Sequence, residues 1–216
     1  MNKLTHVAVN DINRFNWPVM LATVNSLNEF EDEVQGACKI YVNTLPAAMQ
    51  ADAQNKFLGD AFEVFVEMLM LTHAFDNRIN VHDYKPLNPN EGDIDIGVDG
   101  VGKGADKKPA TVQVKFRSNP ITILTAKADG LSGFVAASQN VYNVEVTSMF
   151  NMLVVTNCAG INPKTKTMML FGKVRELSRE HLIELVDNQL NWWDNFRQSV
   201  APIAKKRARR AVTSLV

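Results

Sequence analysis

The chain has 216 residues, of which 46% are hydrophobic and 21% charged, enough to bury a sizeable core and unlike the composition of a disordered chain. Its 23 basic and 23 acidic residues cancel, and five of the basic ones lie in "KKRARR" at 205–210, so the rest carries 18 against 23, a net of −5. A polyanion must therefore be met by local patches, because the overall field would not draw one in. The longest apolar region, "FLGDAFEVFVEMLMLTHAF", is broken by Asp60, Glu63 and Glu67, short of the ~18 uncharged residues of a membrane span. The first residues lack a basic start followed by an apolar core, so no secretory signal is read. A cytoplasmic protein is expected, in the host-cell cytoplasm if phage-encoded. Cys38 and Cys158 stand far apart without CxxC spacing and are expected to be buried thiols.

Residues 14–50 predict one or two helices with a break at "NTLP", since Val19, Leu21, Val24, Leu27 and Phe30 recur at helical spacing. Residues 52–75 predict a longer helix whose broad apolar face holds Phe57, Leu58, Ala61, Phe62, Phe65, Val66, Leu69 and Met70. The period then changes. "NVHDY" at 80–84, "DIDIGV" at 93–98 and "ATVQVKF" at 110–116 predict three short strands in an antiparallel meander, separated by "KPLNPNEG" and "DGVGKGADKKP". Ser118 or Asn119 followed by Pro120 predicts a helix running to about 139, weakened at Gly130 and Gly133. "MFNMLVVTNC" at 149–158 is a buried strand, "TMMLFG" at 167–172 a further one, and "NPKTK" the turn between. An amphipathic helix comes next over 176–200, then Pro202 and a second, basic helix. The order gives an α/β fold with a small mixed sheet between helices. It divides into a helical extension over 1–50, a core over 51–175 and C-terminal helices over 176–216.

Gly97 to Lys103 matches the first seven positions of the phosphate loop G-x-x-x-x-G-K-[ST], but Gly104 replaces the hydroxyl residue that would hold magnesium. Proline and β-branched residues stand where a helix would have to start, so the glycine-lysine stretch is read as a hairpin tip. The chemistry lies on the strands beside it. Gln113 and Lys115 share one face of their strand while Val112, Val114 and Phe116 share the other, and Asp93 and Asp95 share a face of the strand before. If the strands are neighbours, a carboxylate, an amide and an ammonium converge, a set suited to a hard divalent cation. Each residue also has an ordinary role: Asp95 in a turn, Lys115 as an edge-strand charge, Gln113 facing solvent. Asp93 and Asp99 are read as turn and solvent residues.

"GDIDIGV" followed by "VQVKF", with Gly59 and Glu63 in "GDAFE" on the preceding helix, resembles the PD-(D/E)xK nuclease superfamily, in the Q-x-K branch similar to Mrr-like endonucleases. The resemblance covers about half the chain. It implies a restriction-endonuclease-like core of helix, three-stranded meander, helix and strand, with Mg²⁺ (Mn²⁺ as substitute) and hydrolysis of DNA phosphodiesters. It implies that Asp95 is the main metal ligand, Lys115 the catalytic lysine and Glu63 the second carboxylate, with Glu67 one turn on as its rival. Gln113 and the Val114 carbonyl assist. Gln113 departs from the acidic pattern, so the alternatives are an inactive DNA-binding or assembly protein on the same fold, or a nuclease for branched DNA or RNA. Cutting both strands of a duplex would call for a homodimer.

DNA-backbone contacts are expected from Lys103, Lys107 and Lys108 at the hairpin, from Arg117, Ser118 and Asn119 after the strand, and from Lys205, Lys206, Arg207, Arg209 and Arg210 in the tail. Each group has a solvated surface role as its alternative. Trp192 and Trp193 are read as packing or dimer-contact residues, and the four scattered histidines exclude a zinc-type ligand spacing.

Overall fold

The computed structural model describes residue 4 and residues 16–87, 96–145, 150–168 and 173–200. The chain forms two compact units, residues 1–64 with 183–216 and residues 65–182.

The first unit is helical. Helix α1 is Trp17–Met20, α2 is Leu27–Val42, and α3 begins at Ala47 and runs to His73, beyond the limit of the unit. At the start of α2, Ser26 Oγ accepts the Glu29 N–H at 3.2 Å while the Glu29 carboxylate accepts the Asn25 N–H at 2.6 Å. One orphan amide of the first turn is thereby satisfied, and the chain entering the helix is tied back to it. The expected break at "NTLP" separates α2 from α3. Trp17, Phe30, Trp193 and Phe196 form an aromatic core with centroid separations of 6.1 to 6.3 Å. Trp192 and Trp193 are buried within it, in the packing role expected of them.

The second unit is built on a mixed sheet. Strands β1 (His82–Pro86), β2 (Gly100–Lys103) and β3 (Pro109–Lys115) form an antiparallel meander, as expected. A second, two-stranded parallel sheet joins β4 (Ile123–Leu124) to β6 (Gly160–Ile161), with the short helix α5 (Pro163–Lys166) after it. Between them helix α4 (Leu131–Asn140) leads to β5 (Met152–Thr156), parallel to β3, and β7 (Val174–Leu177) lies parallel to β5. The main sheet thus has five strands in the order β1-β2-β3-β5-β7. Helix α6 is Arg179–Val186, and residues 192–200 are helical. Strand β3 is buried on both faces, as a central strand with parallel and antiparallel neighbours should be. On one side Val98, Met152 and Val154 join Leu131, Phe134 and Val135 of α4 in the core; on the other Val112, Val114, Leu153 and Val155 are equally buried.

Several elements differ from the sequence reading, among them the helix expected over 176–200, whose first two residues belong to β7 and whose remainder breaks at 187–191. The expected strand at 93–98 begins instead at Gly100, so part of the supposed glycine-rich tip is strand β2 (residues 93–95 lie outside the described residues). The glycines serve packing: a Cβ at Gly100 would overlap the Tyr84 phenol, and one at Gly102 would overlap Val81 and the His82 carbonyl. The helix expected from Pro120 begins only at Leu131, because residues 119–130 spend their backbone groups on turns and on β4, and Gly130 enters α4 at φ +69°. "NPKTK" contains the helical turn α5, capped by Asn162 Oδ1 on the Lys164 N–H at 2.9 Å. Strand β7 is "VREL", which the sequence reading did not assign to a strand, and residues 169–172 of the strand expected at "TMMLFG" lie outside the described residues. Both cysteines are buried and free, and burial pushes the Cys38 thiol up. Among the described residues no helix is long and apolar enough to cross a membrane.

Candidate functional site

The side chains of Thr111, Gln113 and Lys115 form one row along β3. Thr111 Oγ1 meets Ser138 Oγ of α4 at 2.8 Å, which identifies this as the face that α4 covers. One step along, Gln113 is 1% exposed. Its Nε2 donates to the Gly97 carbonyl at 2.9 Å, while its Oε1 has no hydrogen-bond partner among the described residues. Rotating the amide would set two oxygens against each other, so the Gly97 carbonyl fixes the amide nitrogen on its own side and leaves Oε1 as a buried acceptor. Gly97 reaches this position at φ +80°, a backbone region natural to glycine. A buried amide oxygen left unsatisfied costs about 1–3 kcal/mol, and such an atom calls for a ligand or a water.

Asp99 is the carboxylate beside it. Its N–H donates to the Val112 carbonyl at 3.0 Å, so Asp99 shares with Gly100 the partner Val112 at the point where the regular β2–β3 register ends. Its Oδ2 accepts the Val114 N–H at 2.6 Å. The Val114 carbonyl leaves the strand on the same edge as that N–H. The Asp99 carboxylate thus reaches the Val114 peptide where β2 begins and β3 ends, between Gln113 and Lys115 in the sequence of β3. Sequence alone passes over Asp99 because alternation sets the strand at 93–98; with β2 beginning at Gly100, the residue just before the strand is Asp99. Asp95 lies outside the described residues.

Lys115 is half-buried and stands in register with Thr156 of β5. The chain beyond it is braced. Asn157, fully buried at the end of β5, accepts the Arg117 N–H and donates to the Arg117 carbonyl, both at 2.8 Å, so an amide side chain continues the ladder after the backbone pairing stops. The Arg117 guanidinium donates to Asp129 at 2.5 Å and to the Phe116 carbonyl at 2.8 Å. Asp129 also accepts from the Thr125 N–H at 2.6 Å. Burial opposes ionisation of Asp129, but the Thr125 amide and Arg117 outweigh it and hold the carboxyl below its ordinary range. Arg117, expected as a phosphate ligand, thus fastens the crossover loop. Ser118 and Asn119 are exposed, with Asn119 Oδ1 accepting the Ile121 N–H at 3.2 Å in a turn.

At the hairpin, Lys103 pairs with Asp83 at 3.1 Å and Lys108 with Glu145 at 2.6 Å, while Lys107 is exposed at the tip. Exposed pairs of this kind are worth about 0–1 kcal/mol and exchange readily for a phosphate. Glu63 is half-buried on α3 in the first unit, and Glu67, one turn on in the second, is 1% exposed. Lys205, Lys206, Arg207, Arg209 and Arg210 lie outside the described residues. Among the described residues no three His, Cys, Asp or Glu side chains form a metal cage. Magnesium needs no such cage, since it is commonly held by one or two carboxylates, waters and the phosphate of its substrate. No known protein family, no curated protein and no solved structure matches the chain.

Proposed function

We propose that the protein is a metal-dependent DNA endonuclease whose site is the meeting of Asp99 with Gln113, Val114 and Lys115. The Asp99 carboxylate bound to the Val114 N–H, on the strand that carries Gln113 and Lys115, is the observation that carries the reading. The order of helix, meander, helix and parallel strand supports it, being that of the restriction-endonuclease-like core.

The donor set fits a hard divalent cation: one carboxylate, one orphaned amide oxygen and a peptide carbonyl, all oxygen ligands. Asp99, Gln113 Oε1 and the Val114 carbonyl would hold Mg²⁺ or Mn²⁺, with Asp95 and Glu67 of α3 as further ligands. When bound, the ion supplies a polarised phosphodiester and a more acidic attacking water. Lys115 stabilises the negative charge that grows on the phosphoryl oxygens and orients the water for in-line attack. Asn157 and the Arg117–Asp129 pair keep the end of β3 from fraying, so the ammonium needs no reorganisation. One such site cuts one strand, and a homodimer would cut both.

A second reading, an inactive DNA-binding protein on the same fold, is favoured by the 1% exposure of Gln113 and its lack of charge. Supercoiled, linear, single-stranded and branched DNA incubated with Mg²⁺ or Mn²⁺, beside Asp99→Asn and Lys115→Ala, separate the two. Metal-dependent cutting lost in both variants supports the nuclease. Binding without cutting supports the second reading, and cutting that survives both substitutions removes the site.

A further inference from the structure

The parallel β4–β6 sheet is built on the carboxyl ends of β3 and β5, the end at which Lys115 lies. Its two segments are joined by the Ala159 N–H donating to the Thr122 carbonyl at 3.2 Å and the Asn162 N–H donating to the Leu124 carbonyl at 2.8 Å. Leu124 and Ile161 turn inward to the core around Phe134 and Val135. Strand alternation then sends Ile123 outward, 49% exposed, and Ile121 on the preceding turn is 78% exposed. That turn is fixed at both ends of its loop by Asn119, whose Oδ1 holds the Ile121 N–H and whose carbonyl holds the Thr122 N–H, each at 3.2 Å. Two β-branched apolar side chains thus project from a rigid base and add little to the core.

The segments that carry them are mostly basic, with the Glu176 carboxylate of β7 set against them on the Ile161 N–H at 2.7 Å. Residues 115–131 and 156–168 contain Lys115, Arg117, Lys127, Lys164 and Lys166 against the single carboxylate of Asp129, a net of +4 in a chain whose net is zero. Asp129 is buried against Arg117, and Lys166 pairs with Glu176 from outside these segments. Lys127 and Lys164 are exposed and make no ion pair among the described residues. Exposed isoleucines on mostly basic segments suit a polyanion whose interior is apolar, and a stacked duplex is one. β-Branched and other apolar side chains act as wedges between base pairs where basic residues hold the adjoining phosphates.

We propose that this surface grips duplex DNA for the nuclease site, with Lys127 and Lys164 on backbone phosphates and Ile121, braced by Ile123, inserted between base pairs from the minor groove. The proposal rests on the nuclease reading for its substrate. The insertion would unstack a step and offer the strained backbone to Lys115, with pyrimidine–purine steps the easiest to open.

The test uses the full chain with calcium in place of magnesium and a duplex carrying, at a TA step, a fluorescent adenine analogue that is quenched by stacking. Wild type is expected to raise the emission on binding. Ile121→Ala should abolish the rise and weaken binding about tenfold, the worth of one buried apolar side chain. Lys127→Ala with Lys164→Ala should weaken binding and flatten the logarithmic salt dependence by about 2. Equal emission and affinity for Ile121→Ala and wild type would overturn the wedge. So would absence of duplex binding at low salt, which would give the isoleucines to a protein contact. Parallel cleavage assays separate the two claims: cutting unaffected by Ile121→Ala sinks the wedge alone, whereas unstacking by a protein that never cuts sinks the nuclease alone.

Discussion

Replacing Gln113 with leucine tests the metal reading without relying on turnover. The substitution keeps the volume, removes the orphaned Oε1 and strands the Gly97 carbonyl that Nε2 now satisfies. Relief of one unsatisfied acceptor and creation of another each amount to about 1–3 kcal/mol with opposite signs, so the metal-free stability should change by about 1 kcal/mol or less. The metal response should change far more. An ion present at about ten times its dissociation constant stabilises the folded state by about 1.4 kcal/mol, or about 3–6 °C in a domain of this size. Calorimetry is the appropriate assay, because Trp17, Trp192 and Trp193 all belong to the first unit and their emission does not report on the sheet. Wild type should show the magnesium shift and Gln113→Leu should lose most of it. Equal shifts in the two proteins would refute Gln113 as a ligand, however much activity the substitution cost.

Asp99→Asn should lower cleavage by at least about 100-fold while keeping the Val114 hydrogen bond, since an amide oxygen still accepts it; an unaltered melting midpoint beside lost turnover is the signature. Lys115→Ala should lose turnover to a similar degree and still bind duplex, as measured by anisotropy. Asp129→Asn should destabilise the second unit in a pH-dependent way. The wild-type carboxyl is lowered in the fold, so its stabilisation is complete above the ordinary value of ~3.9 and fades as pH falls through the folded value. The gap between variant and wild-type melting midpoints should therefore be widest near neutrality and close in acid; a gap independent of pH would contradict the ion pair. Gly100→Ala should cost about 1–3 kcal/mol through its overlap with the Tyr84 ring, and Tyr84→Ala in the same chain should recover part of it in a double-mutant cycle.

The meander, the crossover helix and the buried fifth strand were legible because alternation and apolar runs report burial directly, and Val112, Val114, Val154 and Val155 are all in the core. Glycine misled twice. Gly100 and Gly102 look like turn residues in a string, yet they are strand residues whose missing side chains admit Tyr84, Val81 and the His82 carbonyl, a tertiary reason that no local pattern contains. The displaced strand start is also why Asp99, read as a turn residue, went unnoticed as the residue that precedes β2. Pro120 after Ser118 and Asn119 is a good helix opening by local chemistry, but the Asn119 side chain is spent on a turn and the backbone on β4. Q-x-K alternation, by contrast, survived intact: Gln113 and Lys115 share the row that begins at Thr111, because a side-chain period of two does not depend on the strand's partners.

The mixed character of the sheet explains why chemistry and grip would fall at one end. Strand β2 runs against β3, so the residue that precedes β2 meets the end of β3, and Asp99 arrives beside Val114. Strand β5 runs with β3, so the chain leaving β5 also lies at that end, and Asn157 clasps Arg117 there. An all-antiparallel sheet would have sent the chain after β5 to the opposite edge of the molecule. An all-parallel one would have sent Asp99 there instead. Only a strand with one neighbour of each kind has, beside the end that carries its lysine, both the residue that precedes β2 and the chain that follows β5.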